Sequence, residues 1–165
     1  MMTNSRRHFL QLTLLLAFSN AHGQTPATAS LSITGQVLKP TQGQTAVFDL
    51  AALKQLPQME IRTHTRWTEG VIVFQGPLLR EVLKSAGAQG KRLQAIALND
   101  YKVDIPWQDI EQYPVILALS ANGKPLSRRE KGPIWIMYPM DDYKALQTPD
   151  THSKLIWQLK TIHVE

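Results

Sequence analysis

Hydrophobic and polar positions along this chain alternate with period two in several short runs and take helical spacing in fewer. Leu31-Ser32-Ile33-Thr34-Gly35-Gln36-Val37 alternates and predicts a half-buried strand. Asp49 stands as an N-cap before Leu50-Ala51-Ala52-Leu53-Lys54-Gln55-Leu56, which has helical spacing and stops at Pro57. Residues 59–65 alternate again, and Val71-Ile72-Val73-Phe74 is an apolar run closed by Gly76. Pro77 is expected to open the next helix at its first position, with Leu78, Leu79, Val82 and Leu83 as its buried stripe and Gly87 as its end. Residues 93–98 and 101–105 predict a hairpin around Asn99-Asp100, and residues 106–111 a short helix. Residues 115–119 predict a buried strand, followed by a tight Asn122-Gly123 turn. Residues 134–138 and 154–164 predict the last two strands. Strands outnumber helices and the two are mixed along the chain, so the expected class is α+β, with a mixed β-sheet and short helices.

The first two dozen residues follow a different order: basic, then apolar, then small. Arg6 and Arg7 precede an apolar stretch over residues 9–18, and Ala21 and Gly23 stand where a signal peptidase reads small residues. The expectation is an export signal over residues 1–23, a flexible lead rich in Ala and Thr over 24–30, one domain over 31–165, and a periplasmic location. Ser5-Arg6-Arg7-His8-Phe9-Leu10 resembles the twin-arginine signal S-R-R-x-F-L, an address rather than an anchor. The alternative is a plain basic leader for the unfolded export route. The apolar stretch is far shorter than the ~20 residues that cross a bilayer, so no transmembrane helix is expected in the mature chain.

Composition narrows the chemistry further. The 165 residues contain no cysteine, which removes disulfides and every thiolate nucleophile or ligand. Removing Arg6 and Arg7 with the leader lowers the formal charge from +5 to near +3, and the remaining charges are interspersed, so no nucleic-acid partner is expected. Of the five histidines, His8 and His22 leave with the leader, while His64, His152 and His163 lack ligand spacing; no metal site is expected. No G-x-S-x-G nucleophile elbow occurs.

Several blocks of the chain point to one family. They are Thr65-Arg66-Trp67-Thr68-Glu69-Gly70, Phe74-Gln75-Gly76-Pro77-Leu78-Leu79-Arg80-Glu81-Val82-Leu83 with its F-x-G-x-x-L-x-x-L-L pattern, and Ala97-Leu98-Asn99-Asp100-Tyr101. Ile105-Pro106, the run from Arg129 through Gly132-Pro133 to Tyr138-Pro139, and Trp157-Gln158-Leu159 complete the set. Together they resemble the short exported relatives of the sulfite oxidase molybdopterin-binding domain, in order and over nearly the whole mature chain. The resemblance implies a sulfite oxidase-like molybdopterin-binding fold around a cofactor pocket. In catalytic members it implies a periplasmic molybdopterin-dependent oxidoreductase, with a cysteine thiolate on the loop before the F-x-G helix ligating molybdenum. Here that loop reads Thr63-His64-Thr65-Arg66-Trp67-Thr68-Glu69-Gly70 and contains no cysteine. A soft thiolate suits that metal, and hydroxyl, indole or guanidinium groups do not replace it. Molybdopterin is thus implied by resemblance and opposed by the missing ligand.

The candidate pocket residues follow from these loops. On the first, His64, Thr65, Arg66, Trp67 and Thr68 offer an anion-binding guanidinium and an indole wall, against the alternative that Trp67 is core and Arg66 solvated. Asn99, Asp100 and Tyr101 form either a polar rim of the same pocket or plain turn chemistry. Arg128, Arg129, Lys131 and Gly132 suit a phosphate, a sulfate or a pterin phosphate tail, or form a solvated charged loop. Asp141 and Asp142 offer a cation site, a partner for Arg66, or two exposed acids. Two functions remain open: a binding module for a small anionic ligand or a membrane-bound sensor or redox partner, and an oxidoreductase working without a protein thiolate.

Overall fold

The computed structural model describes residues 31–165; the expected signal and lead lie outside the described residues. Alternation in the first run gives β1 (Leu31–Gly35), with Leu31 and Ile33 fully buried. It lies antiparallel to β2 (Ala46–Phe48) and parallel to β11 (Leu159–Val164), which runs antiparallel to β5 (Arg92–Ala97). The hairpin partner β6 (Lys102–Pro106) completes a five-stranded mixed sheet in the order β2-β1-β11-β5-β6. One parallel pair among antiparallel neighbours makes the sheet mixed, as the interleaved pattern predicts.

A second, antiparallel sheet carries β3 (Gln58–Thr63), β4 (Ile72–Pro77), β8 (Ser120–Ala121) and β9 (Lys124–Pro125) in that order. Between β8 and β9, Asn122 and Gly123 both have positive φ, 47° and 74°, as a two-residue hairpin turn requires. The pair β7 (Ile116–Ala118) and β10 (Trp135–Met137) is buried along its whole length, which explains its unbroken apolar sequence.

Helices are short and cap the sheets. The N-cap Asp49 accepts a 2.7 Å hydrogen bond from the Ala52 amide and starts α1 (Leu50–Gln55). The second helix, α2 (Leu79–Ser85), begins two residues later than expected. Pro77 still belongs to β4, opposite Gln58, and Leu78 bridges to Ile116 in extended conformation. Leu79, Val82 and Leu83 are buried as its stripe, and Gly87 follows the helix at φ +63°. Next comes α3 (Trp107–Gln112). The stretch expected as one strand over 154–164 is divided. Its start belongs to α4 (Pro149–Lys154), where Thr148 caps the Thr151 amide at 3.1 Å and Pro149 takes the first helical turn; only Leu159–Val164 is strand. No described helix is long and apolar enough to cross a membrane.

The F-x-G block owes its residues to packing. Phe74 is fully buried and meets Trp135 edge to face at 5.4 Å. A Cβ on Gly76 would collide with the Leu117 carbonyl, so β4 passes β7 only because a glycine stands there.

Candidate functional site

The loop after β3 is stapled by its own threonines. Thr65 Oγ1 and Thr68 Oγ1 lie 3.1 Å apart, the Thr65 amide donates to Thr68 Oγ1 at 3.1 Å, and the Trp67 amide donates to Thr65 Oγ1 at 3.1 Å. Thr65 is buried by this arrangement, Trp67 is half-buried and Arg66 is exposed. His64 ties the loop to the segment after β10: its amide donates to Asp141 Oδ2 at 3.0 Å and its ring Nδ1 stands 2.6 Å from Asp141 Oδ1. Asp141 therefore pairs with His64 and not with Arg66.

Trp67 faces a cavity of about 180 Å³ shared with Asn99, Tyr101, His152, Ser153 and Trp157. Trp157 meets Trp67 edge to face at 5.2 Å, and His152 meets it from another side at 6.0 Å. The β5–β6 turn supplies Asn99 and Tyr101; Asn99 Oδ1 accepts from the Tyr101 amide at 3.2 Å, and Asp100 takes a left-handed φ of 62°. Asp100 itself is exposed, 3.9 Å from Lys160, away from the lining. The short α4 delivers His152 and Ser153. It is anchored by Lys154, whose ammonium reaches Asp109 at 2.9 Å and Asp150 at 2.8 Å, while Tyr138 donates to the same Asp109 carboxylate at 3.1 Å. Burial works against the Lys154 charge, but hydrogen bonds to Asp150 and Asp109, with their charges, outweigh it and raise its pKa. Burial, then the Asp109 charge and hydrogen bond, push the Tyr138 phenol well above its ordinary value. His152 is shifted down by desolvation, then by the charges of Arg66 and His64.

The basic loop faces elsewhere. Arg129 and Lys131, with Lys124, Thr68, Phe74 and Trp135, line a second and more open cavity of about 390 Å³. A single 3₁₀ turn (Arg128–Glu130) shapes the loop, Ser127 Oγ bonds Glu130 Oε2 at 2.9 Å, and Lys131 follows at φ 66°. The Lys131 ammonium stands 5.5 Å from the Trp135 ring centroid, in reach of its π face. Arg128 lines neither of these cavities and offers its carbonyl to Gln158 Nε2 at 2.8 Å. Gly132 is there for packing: a Cβ would collide with the Leu126 carbonyl.

The expected single pocket is thus two cavities on either side of a tryptophan stack. Trp157 meets Trp135 edge to face at 6.3 Å as well as Trp67 at 5.2 Å, so the three indoles form a shared wall. Sequence reasoning placed Trp67, Asn99, Tyr101, Thr68, Arg129 and Lys131 on cavity walls but put them around one space. It missed His152 and Ser153, whose signal was the Thr148-Pro149 helix start, and Lys124, whose signal was the Asn-Gly turn beside it. Among the described residues no three His, Asp or Glu side chains converge as a metal cage.

Comparison with known proteins agrees with the motif blocks. The family model described as oxidoreductase molybdopterin binding domain matches residues 20–141. Among solved structures the chain is similar to the sulfane dehydrogenase SoxCD from Paracoccus pantotrophus, with a TM-score of 0.63 and 20% identity. That alignment covers 84% of this chain and 38% of the other, so this chain spans well under half of its neighbour's length. The likeness is one of fold, and it bears out the expected α+β, sulfite oxidase-like architecture. A comparison with curated proteins finds no match.

Proposed function

This chain belongs to the oxidoreductase molybdopterin binding domain family, and from that premise we propose that it is an exported, cysteine-free member that binds a small anion in its basic cavity without thiolate-ligated molybdenum chemistry. The observation that carries the proposal is the donor set. The chain has no cysteine at any of its 165 positions. In the loop that precedes the F-x-G block, the Thr65 and Thr68 hydroxyls are engaged with one another and Asp141 is engaged with His64. These groups do not fit a thiolate-ligated molybdenum, and no reaction step is routed through one.

What remains is suited to recognition. Arg129, Lys131 and Lys124 bring three cations to one cavity, with Thr68 on its wall. Guanidinium and ammonium groups around a concave surface favour a sulfate, phosphate or carboxylate. Glu130, which also lines the cavity, is partly occupied by Ser127. The family membership favours the second reading, a molybdopterin-dependent oxidoreductase, and a membrane-bound sensor or redox partner suits either.

Thermal unfolding in sulfate, phosphate and acetate tests the proposal. An anion at a hundred times its Kd should stabilise the fold by about 2.7 kcal/mol. Arg129→Ala should weaken that binding by about tenfold, within the range of a charged hydrogen bond, and leave the ligand-free melting point in place. Stabilisation by none of the anions, or equal stabilisation of Arg129→Ala, contradicts it.

A further inference from the structure

The aromatic cavity has a chemistry of its own. Its lining is mostly apolar, with indole faces and edges from Trp67 and Trp157 and the half-exposed Tyr101 phenol beside them. At about 180 Å³ it lies below the ~300–1,000 Å³ of sites that enclose drug-sized ligands, and it suits a single ring. Edge-to-face geometry is open to such a ring, because Trp67 and Trp157 already meet at 77°.

A cation stands beside this cavity, next in sequence to its Trp67 wall. The Arg66 guanidinium stands 5.5 Å from the Trp67 ring centroid and has no carboxylate partner among the described residues. The nearby acid on the same loop contact, Asp141, is taken by His64. The Arg66 charge also reaches His152 on the cavity wall and disfavours its protonation. An incoming anion therefore meets a guanidinium that no carboxylate among the described residues already pairs.

We propose that this cavity is a second binding site, for a small aromatic carboxylate whose ring lies against Trp67 and Trp157 and whose carboxylate pairs with Arg66. The ring supplies burial against the indoles, and the planar guanidinium supplies a two-pronged match to the carboxylate. Neither feature alone accounts for the arrangement: a simple anion has nothing to lay against the tryptophans, and a neutral ring leaves Arg66 unpaired. The site is separate from the anion site of the basic cavity and does not depend on it.

The test is a titration of the full folded chain with benzoate, benzamide and acetate, followed through the indole N–H signals of its four tryptophans. Benzoate should move the Trp67 and Trp157 signals and leave Trp107, which is bonded to Glu111 at 3.0 Å, in place. It should bind about tenfold tighter than benzamide or acetate, the lower end of a charge-assisted contribution. Arg66→Gln should erase the gap between benzoate and benzamide while benzamide still moves the same two signals, which shows that the cavity remains formed. Inorganic sulfate, added to fill the basic cavity, should leave the benzoate titration unchanged. Failure of sulfate to bind at all would count against the basic cavity and not against this site. Benzoate that moves neither Trp67 nor Trp157, binds no better than acetate, keeps its advantage over benzamide in Arg66→Gln, or is displaced by sulfate would overturn the proposal.

Discussion

The two cavities share a wall and differ in almost everything else. One is small, aromatic and lined by Trp67, Trp157 and His152; the other is twice as large, open and edged by Lys124, Arg129 and Lys131. Consecutive residues serve them: Trp67 faces the first and Thr68 the second. The threonine-stapled turn makes this division possible, because it sends neighbouring side chains to opposite sides of the tryptophan stack. The difference teaches that one short loop can line two unlike cavities when its own hydroxyls fold it back on itself.

The largest expected effect comes from removing the wall they share. Trp135 is 2% exposed, donates its indole N–H to the Leu155 carbonyl at 3.0 Å and touches both Phe74 and Trp157. Trp135→Ala should destabilise the protein by ~3–5 kcal/mol in denaturant unfolding and disturb both cavities. A negligible loss would refute the shared wall.

Removing the anchor of α4 should separate the two sides. Lys154→Met leaves Asp109 without its cation and should cost about 2 kcal/mol, in the range for charged hydrogen bonds. Its effect should fall on the His152 side: the Trp67 indole signal should move, and sulfate affinity at the basic cavity should not. Equal damage to both cavities would show that they are one mechanical unit.

The same cluster predicts an alkaline limit. Folding raises the pKa of both Lys154 and Tyr138. A raised group contributes stability that is fully present below its unfolded pKa and is lost as pH rises toward and through its folded value, because the unfolded chain gives up the proton first. Melting temperature should therefore fall above about pH 10, and Lys154→Met should flatten that fall. The smallest effect lies on the acid side. His152 is shifted down, so the unfolded chain takes up a proton first as pH drops below about 6.5. Stability should decline slightly there, and His152→Gln should remove the decline.

Much of this architecture was legible in local sequence. Strand alternation at Leu31–Gly35, the Asp49 cap, the Gly87 stop and the Asn122-Gly123 turn each act within a few residues, and each stands where short-range chemistry puts it. Pro77 misled because its fixed φ suits a helix start as well as a strand end, and the choice was made by the distant ladder to Gln58 and the Leu78–Ile116 bridge. The start of α4 was marked by Thr148-Pro149 but hidden by the apolar run that follows. The site was legible as a set of loops and not as a geometry. Partition into two cavities depends on Trp67, Trp135 and Trp157 meeting across long chain separations, and the Asp109–Lys154 and His64–Asp141 pairs join residues 45 and 77 positions apart. No periodicity reports such pairings.

The most direct test of the cysteine-free account is a molybdenum and pterin analysis of the protein purified from the cells that make it. The account predicts far less than one metal per chain and no pterin, in a protein that still binds sulfate or phosphate. One molybdenum and one pterin per folded chain, with turnover of an electron donor, would contradict it.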